Sequence, residues 1–255
     1  MKQYCRPLIF VGTRQNMEPY IEIAEACHIP ILGILDRYYV GQRFEGIDVI
    51  GSDLDLLNPN NKSISELTEY ADFFVATFFS GSTNTSVPAE NTYQLRLERI
   101  NLVKQAQCNL ANLIHPEAVI SKSVKLGRNT LMFPTARLES HVTVGSFCQF
   151  MYYNVIAHHS VIGENCAFMP GTTGTAGSVA LGNNVVVGTD THIVSTNGNI
   201  TKIGNNVVLA PGLKIAKDIP DNSIVQINGK IIPNEKFLPD LYEEGISSSF
   251  KRITI

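Results

Sequence analysis

"AVISKSVKLGRNTLMFPTARLESHVTVGSFCQFMYYNVIAHHSVIGENCAF", residues 118–168, carries a large apolar residue at every sixth position. From Ile120 these are Leu126, Met132, Leu138, Val144, Phe150, Ile156, Ile162 and Phe168. Two residues before each stands a mostly small one: Ala118, Val124, Thr130, Ala136, Val142, Cys148, Asn154, Ser160 and Cys166. A helix repeats every 3.6 residues and a strand every two, so neither produces this period. A hexapeptide repeat is the signature of a parallel β-helix. Three hexapeptides make one triangular coil, with the large residue filling the interior and Gly, Asn and Asp at the turns ("GRN", "GEN", "GNN"). Coils stack about 4.8 Å apart, so residues eighteen apart overlie one another, as Cys148 and Cys166 do, and His141 and His159.

The register slips twice. Phe168 to Leu181 is thirteen residues, which predicts a bulge in "PGTTGTAGSVALG". Ile193 to Ile203 is ten, which predicts a small loop at "STNGN", residues 195–199. Loops leaving a regular solenoid often build a site, and a tolerated insertion reads the same way.

Upstream, residues 1–115 follow another rule. "RPLIFVG", "IPILGILD", "GIDVIG" and "DFFVATFF" read as strands, and "NMEPYIEIAEAC", "ISELTEYA" and "ENTYQLRLERINLVKQAQC" as helices. In the last helix Leu95, Ile100 and Val103 share the expected core face. Strands alternating with helices predict a parallel sheet covered by helices. The expected organisation is an α/β domain over 1–115, a β-helix over 116–232 and a tail over 233–255, which could form a short helix and a strand.

Bulk properties narrow the classes. The 255 residues carry a net charge of −3, with no basic surplus to neutralise phosphates, so a nucleic-acid partner is not expected. Apolar runs are too short for a membrane span, and "MKQYCRP" lacks the apolar stretch of a signal peptide, so a cytoplasmic location is expected. The five cysteines form no CxxC pair, which predicts reduced, buried thiols and no zinc knuckle.

An α/β domain, then "LIHPEAVISKSVKLG", then hexapeptide coils, then "IGNNVVLAPGLKIAKDIPDNSIV" resembles the bacterial sugar acyltransferases of the sialic-acid O-acetyltransferase and UDP-4-amino-sugar N-acetyltransferase type. The resemblance implies a Rossmann-like sugar-nucleotide domain, a left-handed parallel β-helix and a homotrimer with its site between neighbouring coils. It implies acyl transfer from acetyl-CoA to a nucleotide-linked amino sugar in surface-glycan biosynthesis, with no metal. In "AHHSVIG", His158 aligns with the family's general base, while His159 replaces the acidic neighbour. Ala167, Gly177 and Thr189 align with the acyl-CoA contacts, and Ala167 stands where some relatives have a histidine. Gly12 is what remains of a glycine-rich turn after the first strand, Arg14 could supply compensating charge, and Asp36 ends the second strand where an acid could bind a base or ribose, or cap a helix. Phe78 and Phe79 are candidates to stack on a base, or core residues.

Three other readings stand beside this one. A hydroxyl acceptor would make the chain a sugar O-acetyltransferase. A zinc hydratase of the γ-carbonic-anhydrase type could draw ligands from His141, His158, His159 and His192 across a trimer. The lost acidic neighbour and the depleted glycine turn would suit a non-catalytic sugar-binding or scaffold protein. His28 reads as a helix-end residue, His115 as a junction residue before Pro116, and His192 as able to reach a neighbouring subunit or the donor.

Overall fold

A computed structural model describes residues 6–13, 17–77, 92–171, 174–195 and 198–234. Backbone contacts divide the chain into two units, Met1–His115 and Pro116–Ile255.

In the first unit, β1 (Leu8–Val11) is an unbroken apolar run, and all four residues are buried. A strand buried on both faces needs no alternation. It lies between β2 (Ile31–Leu35) and β5 (Asp72–Val75), parallel to both, and β2 pairs in parallel with β4 (Ile47–Gly51). The turn at Glu45–Gly46, both with positive φ, closes an antiparallel hairpin between β3 (Arg43–Phe44) and β4. The hairpin was not legible, because no alternating run precedes the turn. The sheet order is β3-β4-β2-β1-β5. Helix α1 (Glu18–Ala26) opens with a proline in its first turn and buries Tyr20, Ile21, Ile23 and Ala24. Phe10, Tyr20 and Phe74 meet with ring centroids 6.1–6.4 Å apart. The short helix expected in "ISELTEYA" is two single turns, α2 (Lys62–Ser65) and α3 (Leu67–Tyr70).

Helix α4 (Thr92–Gln105) departs from expectation. Among its described side chains the buried ones are Arg96, Arg99, Ile100 and Val103, while Leu95 is half-buried. The spacing is that of one helical face, but half of that face is guanidinium. An apolar-only count cannot see it.

The second unit is a three-faced parallel β-helix. One face stacks Val119–Ile120, Arg137–Leu138, Val155–Ile156, Gly174–Ala176, His192–Val194 and Lys214–Ile215. The second stacks Lys125–Leu126, Thr143–Val144, Val161–Ile162, Val179–Leu181 and Thr201–Ile203. The third includes Leu131–Met132, Gln149–Phe150, Ala167–Phe168, Val186–Val187, Val208–Leu209 and Ser223–Val225. Leu138, Phe150, Ile156, Ile162 and Phe168 are all buried, and the Phe150 and Phe168 rings stack at 5.2 Å.

Early coils pair eighteen residues apart, Leu138 with Ile156 and Phe150 with Phe168. Val155 then pairs with Gly174, so one extra residue lies between Phe168 and Gly174. The ladder accommodates it with a side chain: Ala157 N–H donates to Thr175 Oγ1 at 2.7 Å, where Glu139 N–H one coil below uses the Ile156 carbonyl. The second slip falls between Val194 and Thr201, where predicted, because Val179 pairs with Thr201 and Ile193 with Ile215. The last coil is shorter, with Leu209 paired to Val225, and Ile231–Pro233 turns back antiparallel on it. The hexapeptide count gave no sign of that shortening. The expected tail beyond Asn234 lies outside the described residues.

Each coil turns through a residue with positive φ. One corner repeats Asn165, Asn184, Asn206 and Asn222, and each of the first three donates its amide to the Oδ1 of the next at 2.8–3.0 Å. Asparagine tolerates this conformation, and the ladder satisfies amides that stacking would otherwise leave unpaired. Beside it Gly145 lies so close to the next coil that a Cβ would meet Glu164 N and Gly163 C at 2.7 Å. The cysteine stack is packed thiols: Cys148 and Cys166 donate to the Gly163 and Gly182 carbonyls at 3.1 and 3.2 Å. Burial, and then its neighbour Cys148, raise the Cys166 thiol well above its usual range. Among the described residues no helix is long and apolar enough to cross a membrane.

Candidate functional site

The edge between the first and second faces gathers the polar residues that the repeat leaves free. Ascending the coils, it presents Glu139 and His141, then His158 and His159, then Gly177 and Ser178, then Ser195. His141 and His159 are its left-handed corner residues, with φ of +59° and +58°, and Gly177 (+75°) continues the series. This conformation explains the adjacent histidines. Neighbours on a strand point to opposite faces, but a left-handed corner breaks the alternation, and both His158 and His159 are exposed.

The pair is held from both sides. His158 N–H donates to Glu139 Oε2 at 3.2 Å, and its carbonyl accepts from Ser178 Oγ at 3.1 Å. His159 N–H donates to the Ser140 carbonyl at 3.0 Å. The His159 ring lies over that of His141 with centroids 4.8 Å apart, and meets His158 edge-on, with the two Nδ1 atoms 3.1 Å apart. An exposed imidazole with a fixed backbone can serve as a proton acceptor. Among the described residues no group of three or more His, Cys, Asp or Glu is arranged to hold a metal ion.

Of the positions expected along the acyl donor, Gly177 lies on this edge. A Cβ there would meet Ser195 Cβ at 2.9 Å, and its φ favours glycine, so the fold alone accounts for it. Ala167 sits within the third face at 1% exposure, so its side chain is not presented to a ligand. Thr189 lies at the corner between the third and first faces, away from the histidines. The family resemblance places these three in one contact set; the coil geometry separates them. His192 points outward on the first face between Gly174 and Lys214.

In the first unit the carboxyl ends of the strands hold a buried ion network. Asp36 Oδ2 accepts from Thr13 N–H at 2.7 Å, Thr13 Oγ1 at 3.1 Å and Arg99 Nη2 at 2.9 Å, and its Oδ1 accepts from Tyr38 N–H. Arg99 Nε donates to Asp53 Oδ2 at 3.0 Å and Nη1 to Thr77 Oγ1 at 2.8 Å. Arg37 grips Asp53 from the other side at 3.0 and 3.1 Å, and Arg96 donates to the Thr77 carbonyl. Burial would push the Asp53 carboxyl up; the hydrogen bond from Arg37 and the charge of Arg99 outweigh it and hold the group below the usual carboxylate range. The acid expected to bind a base or ribose is therefore committed internally: Asp36 is 1% exposed and its oxygens are taken. Gly12 (φ +90°) makes room for this network, since a Cβ would meet Arg99 Nη1 at 2.4 Å. Arg99 and Asp53 were missed. A charged i, i+3 pair on a core-facing helix stripe, with acids ending neighbouring strands, is the signal that could have found them. Arg14, Phe78 and Phe79 lie outside the described residues.

No family model matches the chain. Among curated proteins it is 34% identical over 117 residues to the acyl-[acyl-carrier-protein]–UDP-N-acetylglucosamine O-acyltransferase of Aliarcobacter butzleri; the match covers 46% of this chain and 43% of that protein, less than half the relative's length. Three solved structures share the fold. They are the acetyltransferase domain of PglB from Neisseria gonorrhoeae in complex with acetyl coenzyme A (23% identity, TM-score 0.69, covering 90% of this chain and 99% of that one), WeeI from Acinetobacter baumannii (19%, 0.68, 89% and 99%), and a mutant of perosamine N-acetyltransferase from Caulobacter crescentus in complex with CoA and GDP-perosamine (22%, 0.65, 89% and 96%). At these identities the likeness is one of fold: the chain carries the hexapeptide-repeat architecture found in sugar acyltransferases.

Proposed function

We propose that this chain is an acyl-CoA-dependent sugar N-acyltransferase, using acetyl-CoA as donor and the amine of a nucleotide-linked amino sugar as acceptor. The observation that carries the reading is the exposed His158 at a coil edge, with its backbone fixed by Glu139 and Ser178, in a fold whose solved relatives include an N-acetyltransferase complexed with CoA and GDP-perosamine. The amine nitrogen attacks the thioester carbonyl and a C–N bond forms. His158 Nε2 takes the amine proton, the C–S bond breaks, and the proton passes to the leaving thiolate. No covalent acyl-enzyme is needed.

In this reading the coils are left-handed and the active form is a cytoplasmic homotrimer, whose neighbouring subunits flank the histidine edge and the acyl donor. Thr189 would reach the donor only across such an interface. The first unit is a Rossmann-like domain for the sugar nucleotide: its parallel strands run β4-β2-β1-β5, so ligands are expected at their carboxyl ends. Gly12 and Asp36 then support that site by shaping its floor through Arg99, and Arg14 on the same β1–α1 connection supplies charge. Modification of a surface-glycan precursor is the fitting role.

Thiol release from acetyl-CoA, measured against UDP-, dTDP- and GDP-linked amino sugars, tests the proposal. One acceptor should support release, and His158→Ala should cut it about 10²–10⁴-fold. Release unaffected by His158→Ala would refute the assignment of the base. A second reading is favoured by the curated relative, whose name specifies O-acylation from an acyl carrier protein. Hydroxyl sugars and an acyl-carrier-protein donor therefore belong in the same panel.

A further inference from the structure

His159 has one ring nitrogen 3.1 Å from a ring nitrogen of His158. Two imidazole nitrogens at that distance need a single proton between them, so one ring carries Nδ1–H and the other an Nδ1 lone pair. The two assignments differ in consequence. If His158 accepts, its own proton sits on Nε2 and that atom cannot take another. If His159 accepts, His158 is the Nδ1–H tautomer and its Nε2 presents a lone pair.

Three features make His159 the fixed member. Its backbone is locked in the left-handed corner with φ +58°. Its N–H is tied to the Ser140 carbonyl at 3.0 Å. Its ring is tilted 31° over His141, whose own N–H is held by Ser123 Oγ at 2.9 Å. His158 meets this platform edge-on at 83°. Among the described residues, the contact with His159 is the hydrogen bond of the His158 ring. Glu139 is engaged by the His158 backbone N–H, and its Oε1 lies 3.9 Å from Arg137 Nε.

We infer that His159 is a positioning residue: its Nδ1 accepts from His158 Nδ1–H, fixing the tautomer that leaves His158 Nε2 free to receive a proton. This rests on His158 being the base of the proposed acyl transfer. A histidine's tautomer is set by the hydrogen bond at its other nitrogen. When His158 takes the amine proton on Nε2, the Nδ1–H bond to His159 becomes charge-assisted and shortens without any group having to move. The proton then leaves from the same Nε2 to the thiolate, and the pair returns to its starting state.

The test uses two variants that keep the left-handed corner, in the full-length protein. His159→Gly tolerates the backbone and removes the acceptor; His159→Asp tolerates it and restores an acceptor. Thermal melting checks that both fold. In acyl transfer, His159→Gly should lower kcat about 10–100-fold, the usual cost of losing an orienting partner, with KM for acetyl-CoA changed by less than about twofold. His159→Asp should recover most of that loss. Independently of turnover, two-bond 1H–15N spectra of histidine-labelled protein should show His158 with Nδ1 protonated and Nε2 bearing a lone pair, and this preference should vanish in His159→Gly. Finding His158 protonated on Nε2 in the wild type, or the same tautomer and kcat in His159→Gly, would overturn the inference. If the wild type transfers no acyl group to any acceptor, the proposed function fails, and the tautomer measurement alone decides the pairing.

Discussion

Replacing Arg99 by Met removes the centre of the network in the first unit while keeping the volume of the side-chain stem. Arg99 is 1% exposed and makes three hydrogen bonds at 2.8–3.0 Å, to Asp53, Thr77 and Asp36. Removing one partner of a buried pair usually costs about 3–5 kcal/mol, because the other charge is stranded. Here the stranded groups keep company. Asp53 retains Arg37, and Asp36 retains Thr13 N–H, Thr13 Oγ1 and Tyr38 N–H. The low end, about 3 kcal/mol, is therefore expected. Urea denaturation of the full-length protein, followed by circular dichroism, would measure it. Adding Asp36→Asn to Arg99→Met should cost less than the two single variants summed, since it removes the charge that had lost its counter-ion, although its NH2 must face one of the N–H donors from which Asp36 now accepts. A loss below about 1 kcal/mol in the single variant, or a double variant as destabilised as the sum of the two singles, would refute the claim that Arg99 neutralises both carboxylates.

Other outcomes follow from the coil stacking and from charge. Gly145→Ala should destabilise the β-helix by about 1–3 kcal/mol, because the new Cβ meets backbone atoms of the next coil that cannot rotate away. Gly212→Ala should cost nearer 1 kcal/mol, since its +73° backbone is strained by a side chain while the space around it is open; comparing the two melts separates close approach from conformation. Asn184→Ala should cost about 2 kcal/mol, as it breaks the amide ladder to Asn165 and Asn206 and places a Cβ residue without polar compensation at φ +60°. Asn184→Gly should recover about half of that loss by relieving the backbone. The depressed Asp53 carboxyl gives a signed pH effect. As pH falls below about 4, the unfolded chain takes up this proton before the folded one does, so the stability the group contributes is full above that range and is lost with acidification. Urea midpoints between pH 3 and 7 should fall on the acid side less steeply in Asp53→Asn than in wild type.

The period-six pattern from Ile120 to Phe168 determined the coil and the eighteen-residue stacking, because the interior of a triangular coil admits one large side chain per face, and the breaks in that pattern after Phe168 and after Ile193 marked the two slips. The exposed corner at His158 and His159 was legible for the same reason: once Ile156 points inward, the next residues must turn. What the sequence left open depended on long-range placement. Whether Asp36 is a ligand or an internal acid turns on Arg99, sixty-three residues away, reaching it across the sheet. Whether Ala167 and Thr189 share an edge with the histidines turns on which face each hexapeptide occupies after the inserted residue. The proximity of the two Nδ1 atoms turns on a left-handed corner at His159 that is stacked on His141 one coil below. Periodicity is local and survives in a linear string. Charge pairing, edge assignment and ring contact exist only once the chain has closed on itself.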